Sequence, residues 1–212
     1  MAKLSEKRID HVLLVGPPGS GKVLWAREHH GWCLDPGEAG GAVEYVRRAA
    51  GLPALGIAAP LRAPHHTVSV QAITGIVQDG WRWRPGELSL AHGGTLLLDE
   101  APEFRRPVLD AVLGALADGY VQMHGTTHHL NVPARFRLMA TMVACPCGGY
   151  PGPDCRCSER QMKRHRELAA RLCKLGCRVV WCGGLAGRKK PTTARSAAET
   201  KEQERRAAWQ SI

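Results

Sequence analysis

The chain has 212 residues and a formal net charge of +10, with no apolar run near the ~20 residues of a membrane span. This is enough for one substantial core, or one domain plus a tail, and it argues against a membrane protein. The opening Met1-Ala2-Lys3-Leu4-Ser5-Glu6 carries no apolar signal stretch, so a cytoplasmic location is expected, with the eight cysteines reduced or metal-bound rather than in disulfides.

In chain order, residues 1–9 read as an N-terminal extension and residues 10–15 as a buried strand, through the run His11-Val12-Leu13-Leu14-Val15. Gly16-Pro17-Pro18-Gly19-Ser20-Gly21-Lys22-Val23 follows at once, and residues 22–30 read as a helix. This is a phosphate-binding loop. Its glycines let backbone N–H groups turn toward an anion, Lys22 can reach the β- and γ-phosphates, and the helix start adds partial positive charge. Every position of G-x-x-x-x-G-K-[ST] is met except the last, where Val23 lacks the hydroxyl that would hold Mg²⁺.

Asp35 to Gly41 is rich in turn formers, Ala42 to Ala50 reads as a helix, and Pro64 makes Leu61 to Thr67 irregular. Residues 68–77 suit a short helix or strand. Gln78 to Gly86 reads as a loop, in which Trp81 and Trp83 alternate with Arg82 and Arg84. Those residues could stack on bases, or the tryptophans could pack beneath the loop while the arginines face water. Residues 95–99 form an apolar strand ending in Asp99-Glu100. Two adjacent carboxylates there need compensation, and a Mg²⁺–nucleotide complex supplies it: Asp99 would hold the metal and Glu100 would orient or deprotonate the attacking water.

Phe104 to Leu116 spaces Val108, Leu109, Val112, Leu113 and Leu116 at helical intervals. Residues 120–124 and 127–132 pair as a hairpin across Gly125-Thr126, and Phe136 to Met142 is a further buried strand. Cys145, Cys147, Cys155 and Cys157 form two C-x-C pairs in a loop over 145–157. Four thiolates could close around a structural Zn²⁺; four reduced thiols is the alternative. Residues 159–175 read as helical. Fourteen of the 29 Lys and Arg, but five of the 19 Asp and Glu, follow Cys157, so the basic character belongs to the C-terminal segment. That segment binds nucleic acid or stays solvated, and a disordered tail or lone solvated helix is the default over 189–212. Alternating strands and helices predict an α/β fold, a parallel sheet flanked by helices on both faces.

Four blocks carry a family resemblance: Gly16 to Lys22; Arg62-Ala63-Pro64-His65-His66-Thr67; Arg84-Pro85-Gly86-Glu87 through to Asp99-Glu100; and Pro133-Ala134-Arg135-Phe136 running to Cys145-Pro146-Cys147-Gly148. The chain resembles AAA+ ATPases of the magnesium-chelatase I-subunit type, especially the ComM/YifB-like branch, over roughly residues 10–165. The resemblance implies a P-loop NTPase core, ATP and Mg²⁺ as cofactors, and a homo-oligomeric ring with nucleotide between subunits. It also implies one of two partners: a porphyrin accepting Mg²⁺ in the chelatases, or DNA in the ComM-like branch, which the Cys-Pro-Cys-Gly block favours. Hairpins such as the one bearing His124, His128 and His129 can face the pore in this family, although a solvated hairpin is the favoured reading. For His65 and His66, packing or a place near the phosphates is favoured over metal binding.

Three departures bear on turnover. Val23 replaces the hydroxyl residue, Val143-Ala144 stands where the family has Asn-Pro, and neither Arg171 nor Arg178 matches the arginine that reaches a neighbouring subunit's phosphate. No helical lid is recognisable in 166–212, which reads as a divergent basic segment. ATP binding is therefore expected to survive better than hydrolysis. The alternatives are a non-hydrolysing module that senses nucleotide or binds nucleic acid, and the product of a degraded gene.

Overall fold

The computed structural model describes residues 9–78, 82–124, 129–149 and 155–182. In chain order they form β1 (His11–Val15), α1 (Lys22–Glu28), α2 (Pro36–Ala49), β2 (Leu61–Arg62), α3 (Val70–Thr74), β3 (Gly75–Val77), β4 (Trp83–Pro85), α4 (Glu87–Leu90) and β5 (Thr95–Leu98). A 3₁₀ turn at Ala101–Glu103 follows, then α5 (Arg106–Asp118), β6 (Tyr120–His124), β7 (His129–Pro133), β8 (Arg137–Met142), α6 (Glu159–Lys174) and β9 (Cys177–Trp181).

Five strands make one parallel sheet in the order β2-β5-β8-β1-β9. Its central strands are mostly apolar because both faces are covered. The two-residue alternation divides them cleanly. Leu13, Val15, Leu96, Leu98, Leu138, Ala140 and Met142 face a core shared with α5 and α6, through residues such as Val108, Val112, Leu168 and Leu172. Val12, Leu14, Leu97 and Met139 face the other way, onto Ala26 of α1. Each buried Leu or Val contributes about 1.5–3 kcal/mol before the entropy of ordering is counted. Two hairpins stand apart from the sheet: β3 with β4, and β6 with β7.

Four details differ from the reading of the sequence. The turn-rich stretch from Asp35 is already helix, because the Asp35 carboxylate accepts the N–H groups of Gly37 and Glu38 and Pro36 occupies the first turn. Residues 83–85 are strand rather than loop; Trp83 packs against the core and lies 5.7 Å from the Tyr45 ring, while Arg82 and Arg84 face water. A boundary at residue 165 falls inside α6, which a Ser158–Gln161 capping box opens. The run Val179-Val180-Trp181 then joins the sheet as β9, beside β1, so the core extends past 165 through Trp181. Trp81, the turn at Gly125-Thr126, His128 and residues 183–212 lie outside the described residues. No helix among those described is long and apolar enough to cross a membrane.

Two histidines, buried His92 and half-buried His11, brace the fold as neutral acceptors. His92 Nδ1 accepts the Arg135 N–H at 3.1 Å, and His11 Nδ1 accepts that of Leu138 at 3.1 Å. Burial, then the Arg135 guanidinium, pushes His92 down to about 4; burial and Arg137 lower His11 as well. A depressed histidine stabilises fully above its unfolded value near 6.5 and loses that contribution as pH falls toward 4. Chemical denaturation at stepped pH should therefore show stability dropping between pH 6.5 and 4, by up to about 3 kcal/mol from His92. Replacing His92 with glutamine should flatten that dependence.

Candidate nucleotide site

The site is assembled at the carboxyl ends of the parallel strands. The phosphate loop leaves β1, Asp99 and Glu100 leave β5, and β8 lies between these two strands. Such strand ends are where open α/β sheets bind ligands. Gly19 (φ 72°) and Gly21 (φ 79°) hold left-handed conformations that turn the loop into α1. At Gly16 the constraint is space: a Cβ there would lie 2.2 Å from the Cys182 carbonyl oxygen just beyond β9.

Lys22 is buried at the start of α1. Its ammonium donates to the carbonyls of Gly16 (3.0 Å) and Pro17 (2.7 Å) and reaches Ser20 Oγ at 3.3 Å. Burial lowers its pKa, opposed by the charges of Cys182, Asp99 and Glu100. The loop lysine and the two carboxylates thus share one electrostatic neighbourhood.

Thr141 on β8 organises the carboxylates, and the sequence reading had not singled it out. Its hydroxyl donates to Asp99 Oδ1 at 2.6 Å and accepts the Glu100 N–H at 2.9 Å. Glu100 has φ 51° and ψ 59°, the sole non-glycine residue of positive φ among those described. That strained backbone re-aims the second carboxylate at the strand end. A threonine within the apolar run Leu138 to Met142 was the available signal, since a buried hydroxyl needs a partner.

A cavity of about 340 Å³ opens beside the carboxylates, lined by Val23, Arg27, His65, His66, Asp99 and Glu100. His65 and His66 therefore sit on the carboxylate side of the loop, with ring centroids 4.0 Å apart. Arg62 of the same sequence block makes a bidentate pair with Glu87 (2.6 and 2.8 Å), tying β2 to α4. A larger cavity, about 850 Å³, lies near His11 and Gly176 at the amino ends of β1 and β9, away from the loop. Arg171 bonds Asp110 of α5, so it braces two helices of its own chain.

The cysteines form a second focus. Sγ atoms of Cys145, Cys147, Cys155 and Cys157 all lie within 4.8 Å of one another, and among the described residues theirs is the group with metal-ligand geometry. Their Sγ–Sγ separations are 3.4, 3.7 and 3.8 Å for 145–147, 145–155 and 147–155. Tetrahedral Zn–S bonds of about 2.3 Å place sulfurs about 3.8 Å apart, so the donor set fits zinc. N–H groups of Gly149 and Arg156, then the Cys157 and Cys145 thiols, bring Cys147 down to about 6. Cys173, Cys177 and Cys182 stand outside the group, and burial raises all three.

A strand-loop-helix carrying lysine, facing a carboxylate-tipped strand across a parallel sheet, defines a P-loop NTPase α/β fold of the AAA+ type. The match to the family model described as magnesium chelatase, subunit ChlI, spans residues 7–174, and the chain belongs to that family. It is 36% identical over 159 residues to YifB of Escherichia coli (strain K12), and 36% identical over 160 residues to competence protein ComM of Haemophilus influenzae. Each match covers 73% of this chain and 31% of the relative, so the chain spans about a third of the length of these relatives. The crystal structure of NtrX from Brucella abortus in complex with ADP shares the fold, at TM-score 0.50 and 19% identity, over 84% of this chain and 33% of that one.

Proposed function

We propose that the chain is an ATP-binding AAA+ module whose hydrolysis is weak or absent. The observation that carries this is the convergence of Lys22, Asp99 and Glu100 at one end of the sheet, on a loop with left-handed Gly19 and Gly21. Loop N–H groups from Gly19 to Val23 would cradle the phosphates, and Lys22 would exchange loop carbonyls for phosphate oxygens. Asp99, oriented by Thr141, would hold Mg²⁺, which when bound neutralises phosphate charge. Glu100 would position water. Val23 offers only methyl groups on the cavity wall it shares with both carboxylates. Binding is thus favoured over turnover, and a nucleotide-sensing role follows if turnover is nil.

Family membership supports assembly into a ring with nucleotide between subunits, and the similarity to ComM supports DNA as the partner. The four-cysteine loop is proposed to hold a structural Zn²⁺, since four thiolates leave no open coordination position.

The test is phosphate release from ATP with Mg²⁺, measured beside equilibrium binding on the same samples. Wild-type chain should bind ATP yet release phosphate slowly, and Val23→Thr should raise the rate about tenfold by restoring a metal ligand, a gain of ~1.4 kcal/mol in the barrier. Fast wild-type turnover unchanged by Val23→Thr would overturn the weak-hydrolysis reading.

A further inference from the structure

The cysteine loop and the phosphate loop are two ends of one short piece of chain. Within five residues the chain passes from Thr141, which holds Asp99, through Met142, the last residue of β8, whose carbonyl accepts the Gly16 N–H at 3.2 Å, to Cys145. The cysteine loop then turns back onto the phosphate loop. Its Gly148 N–H bonds the Cys145 carbonyl at 3.0 Å, and the Gly149 N–H reaches Cys147 Sγ at 3.4 Å. This turn seats Gly148 (φ 74°) so closely on Pro18 that an added Cβ would lie 3.0 Å from its Cγ. Between the loops is a cavity of about 160 Å³, lined by Pro18, Glu100, Val143, Cys147, Gly148 and His165 among others. One wall of the nucleotide site is therefore built from the segment that carries two of the four thiols.

We propose that metal occupancy of the four-cysteine cluster and nucleotide occupancy of the phosphate loop are thermodynamically coupled, each tightening the other. The proposal rests on the nucleotide and zinc readings above. An ion bound by Cys145, Cys147, Cys155 and Cys157 joins the 145–147 turn to the 155–157 segment and fixes where Gly148 meets Pro18. Without it no ion ties the turn to the 155–157 segment, and the wall shared with Glu100 is less constrained. Linkage makes the effect reciprocal, and couplings between sites typically run from about 5- to 150-fold.

The test uses the whole chain. Zinc content is measured first, then ATP affinity at saturating Mg²⁺ for zinc-loaded protein and for protein stripped by a zinc-selective chelator, with circular dichroism to follow the fold. Zinc affinity is measured in turn, by competition with a chromophoric chelator, with and without nucleotide. Stripping should weaken ATP binding about tenfold, and ATP should tighten zinc by the same factor. Gly148→Ala, kept zinc-loaded throughout, presses a methyl group on Pro18 and should weaken ATP binding about fivefold at unchanged zinc content. ATP affinity within twofold across stripping overturns the coupling; ATP affinity within twofold in the zinc-loaded variant overturns its route through Gly148 and Pro18. A folded chain that takes up no zinc overturns it together with the zinc reading. A zinc-loaded chain that binds no ATP overturns it together with the nucleotide reading, and the separate zinc measurement tells these two failures apart.

Discussion

Lys22→Ala is expected to lower ATP affinity about a hundredfold, or ~3 kcal/mol, because a charge-assisted bond to phosphate is lost from a partly desolvated site. The prediction is specific because of where the lysine sits. Its ammonium is held by the Gly16 and Pro17 carbonyls, close to the charges of Asp99 and Glu100. The variant should keep its far-ultraviolet spectrum, since none of the apolar core residues depends on the ammonium. Calorimetric titration with ATP and Mg²⁺ measures the change. A loss under threefold would mean that nucleotide, if bound, is held elsewhere.

Cys145→Ser should abolish zinc binding and lower the melting temperature by about 10 °C, corresponding to ~3 kcal/mol in a chain of this length. Cys145 is fully buried three residues beyond β8, so its sulfur anchors the loop to the sheet. Loss of packing alone would also destabilise, and the two causes separate on one comparison. If zinc carries the effect, a chelator should lower the wild-type melting temperature by a similar amount and leave the variant unmoved. A wild-type protein indifferent to the chelator would assign the loss to packing.

The parts of this molecule that were legible in its sequence are those whose chemistry is contiguous. Glycines and a lysine in one loop, or two carboxylates closing an apolar strand, announce a site without reference to the rest of the chain. The sheet strands His11–Val15, Thr95–Leu98 and Arg137–Met142 were legible for a similar reason, as unbroken apolar runs. What escaped depends on distant partners. Thr141 is one polar residue in an apolar strand until β5 brings Asp99 beside it. Arg62 and Glu87 belong to two separate family blocks and show their purpose only as a bidentate pair. β9 is five residues interrupted by Arg178, and its strand character comes from pairing with β1, far away in sequence. In α2 the capping by Asp35 and Pro36 outweighed three glycines that suggested a turn.

Amide hydrogen exchange of the whole chain, with and without ATP and Mg²⁺, decides whether the phosphate loop and the carboxylate strand end hold the nucleotide. Protection should concentrate in the peptides spanning residues 16–28 and 95–104, where the amides of Gly19, Ser20, Gly21 and Glu100 lie. Protection absent from both peptides at saturating nucleotide, in a folded chain, would contradict that placement.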